Sequence, residues 1–246
     1  MTKAIISVSD KNNLAPFSKE LVKLGFTIYS TGGTLKFLQD NKIDVQSIKS
    51  LTQFPEILDG RVKTLHPHIH AGILADKSKK SHLKTCDEHS IQLIDLVVVN
   101  LYPFEKTIAK ASVTESEAIE NIDIGGPTLI RAAAKNFNST SVVVDSSQYD
   151  AVIEELKVKN NVLSKQTRKN LAIEAFHHVA KYDIAIANYF QNFKDKNVDG
   201  NSLPHLIHPI LEKVNDLRYG ENPHKVFQSY HQINSLYRQK SFYQIV

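Results

Sequence analysis

The sequence predicts an α/β protein: a layered fold on a mostly parallel central sheet, followed by C-terminal helices and a short second segment. Three observations carry this. Short runs of β-branched and aromatic residues alternate with helical runs over most of the length. One run, Leu96 to Val99, is apolar without alternation, as a strand buried on both faces of a parallel sheet must be. After Ser164 the alternation gives way to one long helical stretch.

In order, KAIISVS (from Lys3) reads as a strand and NNLAPFSKELVKLG as a helix ending at Gly25, with Pro16 tolerable only in the first turn. FTIYS is a second strand. TLKFLQDN follows as a helix capped by Thr34. IDVQSI is a short strand, and LIDLVVVNLYPF holds the buried one. TESEAIENI is helical. GPTLIRAAAKNF is a helix with Pro127 at its start, where the missing N–H costs nothing. STSVVVD is a strand and QYDAVIEELKVK a helix. The stretch from Ser164 to Phe193 is helical with a break expected near Tyr182, and its aromatic stripe suits core packing or a subunit contact. KDKNVDGNS, 194–202, is a polar linker, and 203–246 is too short for an independent core.

The 246 residues are 41% hydrophobic and 23% charged, ordinary for a soluble globular protein. A net charge of +4 fits an anionic substrate and is too weak and too evenly spread for nucleic acid. The single cysteine, Cys86, excludes an intrachain disulfide and fits a reducing cytosol. No signal peptide and no apolar run of membrane-spanning length is present, so a cytoplasmic protein is expected.

Ligands on such sheets bind beyond the carboxyl ends of the strands. There the sequence places Ser7, Ser9, Asp10 and Lys11; then Ser30, Thr31, Gly32, Gly33 and Thr34; then Asn100 and Tyr102; then Asp123, Gly125 and Gly126. The STGGT stretch is either a tight turn or an anion cradle of free N–H groups at a helix start. Arg61 and Lys63, two apart in extended backbone, would point the same way, as a solvated pair or as a phosphate contact. His66, His68 and His70 have the spacing of a ligand set on a strand. Pro67 breaks it and no matched Cys or acidic partner stands near, so no metal is assigned. His177 and His178 are adjacent, face different ways and form no pair. Lys135 follows Ala132-Ala133-Ala134 and is either a desolvated acid/base or a surface lysine near a helix end.

Together SVSDK, STGGT, DGRVKTLHP, NLYPF, ENIDIGGPTLIRAAAKN and LRYGENPH resemble the bifunctional purine-biosynthesis family, AICAR transformylase/IMP cyclohydrolase. The resemblance implies a methylglyoxal-synthase-like three-layer α/β/α domain over 1–193 and a truncated start of the transformylase domain over 203–246. It implies closure of 5-formamidoimidazole-4-carboxamide ribotide (FAICAR) to IMP, without metal or organic cofactor. 10-Formyltetrahydrofolate is the co-substrate of the transformylase half, most of which this chain lacks, so that activity is expected to be absent. Implied catalytic residues are Lys63, Tyr102, Asp123 and Lys135. Implied nucleotide contacts are Ser9, Asp10, Lys11, Ser30 to Gly33 with Thr34 adjacent, Arg61, Lys63, Thr64, Asn100, Leu101, Asp123, Ile124 and Gly125. Arg218 and Tyr219 match AICAR-contacting positions. The family forms dimers largely through the second domain, so a homodimer is one open outcome here. The competing readings are a nucleotide-binding remnant without turnover and a methylglyoxal-synthase-like phosphate lyase.

Overall fold

The computed structural model describes residues 2–110, 112–195, 210–217, 227–232 and 243–245. The chain divides into two compact units, Met1–Asp183 and Ile184–Val246. The first opens with β1 (Lys3–Val8), α1 (Leu14–Lys23), β2 (Thr27–Ser30), α2 (Gly32–Asp40), β3 (Gln46–Ser47) and α3 (Lys49–Thr52). A 3₁₀ turn at Leu58–Gly60 leads to α4 (Pro67–Leu74), α5 (Lys80–Glu88) and β4 (Leu96–Asn100). Then come α6 (Phe104–Ile108), α7 (Glu115–Glu120), α8 (Gly125–Lys135), β5 (Ser141–Val143), α9 (Tyr149–Val158) and α10 (Lys165–Asp195).

The five strands form one parallel sheet in the order β3-β2-β1-β4-β5. Ile6 pairs with Ser30 and Val8 with Asn100, so the central strands end nearly level at one edge. Alternation sends Ala4, Ile6 and Val8 into a core shared with Leu14, Phe17 and Leu21 of α1 and Tyr149, Val152 and Leu156 of α9. There the Phe17 and Tyr149 rings stack at 4.1 Å. On the other side α8 packs on β4, β5 and α4, and its buried Ala132, Ala133 and Ala134 permit the close approach. The result is the expected three-layer α/β/α arrangement.

Local chemistry fixes the ends of the elements. Thr114 and Glu117 form a reciprocal capping box at α7. Glu155 of α9 accepts the Ser164 N–H at 2.9 Å, the Thr167 hydroxyl at 2.6 Å and the Lys159 ammonium at 3.0 Å, locking the entry to α10. Arg168 then donates to the Phe137 carbonyl at 2.7 Å and the Asn138 carbonyl at 3.1 Å, tying α10 to the turn after α8.

Three expectations change. Helix α2 starts at Gly32, with Thr31 at the cap position, because Thr34 is buried and uses its hydroxyl elsewhere. The stretch from Arg61 is loop and then helix, with Pro67 at the first turn of α4 and His66 capping it by accepting the His68 N–H. Helix α10 runs unbroken through Tyr182. The sequence reading placed no element over 80–88, where α5 lies.

The second unit contains β6 (Leu211–Leu217), β7 (Phe227–Gln232) and β8 (Tyr243–Ile245) in an antiparallel sheet. Of the expected linker, 194–195 close α10 and the rest lies outside the described residues, as do Arg218 and Tyr219. Among the described residues no helix is long and apolar enough to cross a membrane.

Burial raises the Glu155 carboxyl, but the bonds from Thr167, Ser164 and Lys159 outweigh it and hold the group at about 2. Its contribution to stability is therefore full above the ordinary 4.5 and is lost as pH falls toward about 2. Glu155→Gln is expected to cost about 1–3 kcal/mol in urea unfolding at pH 7, with the gap to the native chain narrowing at pH 3.

Candidate active site at the carboxyl edge of the sheet

A cleft of about 680 Å³ opens beyond the carboxyl ends of β1, β2 and β4. The walls come from five segments: Ser7 to Lys11, Thr31 to Thr34, Asp59 to Thr64, Val99 to Tyr102, and Ile119 to Gly126. Of the sequence-derived candidates, Ser7, Ser9, Lys11, Thr31, Gly32, Gly33, Thr34, Arg61, Lys63, Thr64, Asn100, Tyr102, Asp123, Ile124, Gly125 and Gly126 line it.

The loop after β1 is held by Asn100, whose side-chain oxygen accepts the Ser9 and Asp10 N–H groups at 2.7 and 3.0 Å while its amide donates to the Asp10 carbonyl at 3.0 Å. Thr34 accepts the Val8 N–H at 3.1 Å and donates to the Val8 carbonyl at 2.9 Å, joining the first turn of α2 to the end of β1. The turn between β2 and α2 needs Gly32 at φ +53°, a conformation that suits glycine. Backbone N–H groups of a helix's first turn have no partner within the helix, and Gly32, Gly33 and Thr34 at the start of α2 line the cleft. Lys63 reaches over it: a Cβ on Gly32 would stand 3.6 Å from the Lys63 ammonium.

Across the cleft Asp123 accepts the Gly126 N–H at 2.8 Å, and its own N–H donates to the Tyr182 hydroxyl at 2.7 Å. Burial pushes the Asp123 carboxyl above its ordinary value, against the pull of the Gly126 N–H, the Lys63 ammonium and the Gly125 N–H. A partly buried carboxyl beside a lysine is suited to moving protons. At the mouth, Arg61 forks onto Glu120 with both groups exposed. That contact raises Arg61 and lowers Glu120. Tyr102 is 53% exposed.

Four candidates do not line the cleft. Asp10 uses its carboxylate on Asn12 in the turn before α1. The Ser30 hydroxyl is buried and donates to the Ile6 carbonyl at 2.7 Å, a bond between β2 and β1. Leu101 is buried beneath Gly126. Lys135 stands exposed at the last residue of α8, so of its two readings the structure favours the surface lysine near a helix end. His66, His68 and His70 lie on and before α4, where His68 Nδ1 meets the Leu51 carbonyl at 3.0 Å. Among the described residues no group of three or more His, Cys, Asp or Glu side chains is arranged to hold a metal ion. The sequence reading missed Asp59, Gly60, Glu120 and Asn121 in the wall, and Glu56, which accepts the Thr31 hydroxyl at 3.0 Å. The turn signal Asp59-Gly60 was the available clue to the first two.

Comparison with known proteins agrees with this geometry. Residues 13–128 match the MGS-like domain, and residues 133–245 match the family described as AICARFT/IMPCHase bienzyme. A solved structure titled "Crystal structure of ForH" superposes with a TM-score of 0.70 at 34% identity, covering 77% of this chain and 98% of that one. The bifunctional purine biosynthesis protein PurH of Macrococcus caseolyticus is 52% identical over 225 residues, which are 92% of this chain and 41% of that protein. PurH of Bacillus subtilis is 52% identical over 223 residues, 91% of this chain and 42% of that protein. A parallel sheet with its cleft at the carboxyl edge thus places the first part of the molecule among the methylglyoxal-synthase-like domains. The chain belongs to the AICARFT/IMPCHase bienzyme family. It spans about two-fifths of the length of the curated relatives it matches.

A Cβ on Gly126 would stand 2.5 Å from Asp123 Oδ2 and 2.6 Å from Leu101 Cδ2. Gly126→Ala is therefore expected to destabilise the chain by about 1–3 kcal/mol, measured by urea unfolding. An unchanged midpoint would contradict the tight packing under Asp123.

Proposed function

We propose that this chain closes FAICAR to IMP with loss of water, as an IMP cyclohydrolase of de novo purine biosynthesis acting in the cytoplasm. The observation that carries the reading is the convergence of the glycine turn, Lys63, Arg61 and Asp123 on one cleft. In this reading residues 1–193 form the cyclohydrolase domain, 194–202 a linker and 203–246 the start of a transformylase domain.

In the proposed reaction the 5′-phosphate sits on the first turn of α2, with Lys11 or Arg61 helping to neutralise it. The carboxamide nitrogen attacks the formyl carbon of the same molecule, forming the C–N bond while the formyl oxygen takes the electron pair. Holding the two groups together supplies up to roughly 7–11 kcal/mol. The Lys63 ammonium, or the N–H groups near Gly125 and Gly126, stabilise that oxygen. The carboxamide nitrogen and the formamide nitrogen each give up one proton, the oxygen takes both, and the C–O bond breaks as the C=N bond to the formamide nitrogen forms, releasing water. Asp123 and Tyr102 relay the protons. The resemblance gives Lys135 the acid/base role, and its exposure at the end of α8 is the observation that favours the second reading, a nucleotide-binding remnant without turnover.

Adding FAICAR without folate or metal, and following IMP by ultraviolet absorbance, decides between them. The first reading predicts turnover above the uncatalysed rate, lowered about 10²–10³-fold by Asp123→Asn. If the ionised carboxylate is the working form, activity falls as pH drops through the raised Asp123 value, and that acid limb disappears in Asp123→Asn. A folded chain that binds IMP and turns nothing over would establish the remnant.

A further inference from the structure

Asp123 and the strand-end loop that carries Tyr102 must be held still for protons to move between them. Both are held from below by one helix. Tyr182 and His178 lie one turn apart on α10 and so share a face. The Tyr182 hydroxyl accepts the Asp123 N–H at 2.7 Å and donates to the Asn121 carbonyl at 3.4 Å. His178 Nε2 accepts the Leu101 N–H at 3.4 Å, next to Tyr102. Neither side chain lines the cleft, so neither meets a ligand there. The Phe104 and Tyr182 rings meet edge-on at 6.2 Å, which fixes the phenol.

We infer that Tyr182 and His178 are a pair of positioning residues, each fixing the backbone amide of one active-site loop. The inference rests on the cyclohydrolase reading. Packing alone would be served by phenylalanine and leucine at these positions. The hydroxyl and the imidazole are explained by the two amides, which lie just outside the helix and strand ladders and would otherwise be orphaned in a partly buried place. A group that moves protons must be held to about half an ångström. The 2.7 Å bond sets the backbone from which the Asp123 carboxyl projects. His178 can accept only with Nε2 unprotonated. Burial favours that neutral form, Lys181 on the same helix adds to it, and Asp145 before α9 opposes it.

Amide hydrogen exchange and turnover, measured on the full chain and on Tyr182→Phe, His178→Leu and His178→Gln, test this. Tyr182→Phe is expected to speed exchange at Asp123 about 10-fold and leave Leu101 alone, and His178→Leu to do the reverse. His178→Gln, whose amide oxygen can accept, is expected to restore Leu101. Turnover should fall about 10-fold in the first two variants with IMP affinity held within about 3-fold. Unchanged exchange at Asp123 in Tyr182→Phe, or equal acceleration throughout β4 and α8, would overturn the assignment. If the native chain does not close FAICAR, the cyclohydrolase reading fails, while the exchange pattern still decides whether these residues fix the loops.

Discussion

Parallel pairing of β1 with β2 and β4 is the constraint on which the cleft depends. Parallel strands deliver all their carboxyl ends to one edge. The register brings Val8 level with Asn100 and Ile6 level with Ser30, so the following loops start from the same line. Two side chains then turn that coincidence into a fixed frame. Asn100 pins the loop after β1, and Thr34 pins the first turn of α2 to Val8. Both act at buried or partly buried positions, where a polar group without its partner is costly.

On that frame the electrostatics divide by depth. Deep in the cleft, the burial of Asp123 competes with nearby N–H groups and the Lys63 ammonium, and the carboxyl settles above its ordinary value. At the mouth, Arg61 and Glu120 neutralise each other in the open, where water screens the pair.

Much of this was legible in the residues. The unbroken apolar run of β4, the helix-start position of Pro127 and the polar residues after each strand defined the sheet and the edge that bears the cleft. What the sequence misplaced has physical causes. Thr34 looked like a cap because capping and back-bonding threonines are alike in sequence; only the fold shows its hydroxyl reaching β1. Arg61 and Lys63 looked extended, but consecutive left-handed residues at Leu58 and Asp59 before Gly60 turn the chain instead. Lys135 was ambiguous because the alanines before it bury one face of α8 without saying which face the next residue joins. Glu120, Tyr182 and His178 carry no local signal at all, since their partners lie 59, 59 and 77 positions away.

The central claim is that the glycine turn of α2 receives the phosphate of a ribotide. Calorimetric titration with IMP and with inosine, which differ only in that group, tests it most directly. The account predicts that IMP binds at least about 100-fold more tightly, the scale of two or so charge-assisted hydrogen bonds. Equal affinities for the two would contradict it.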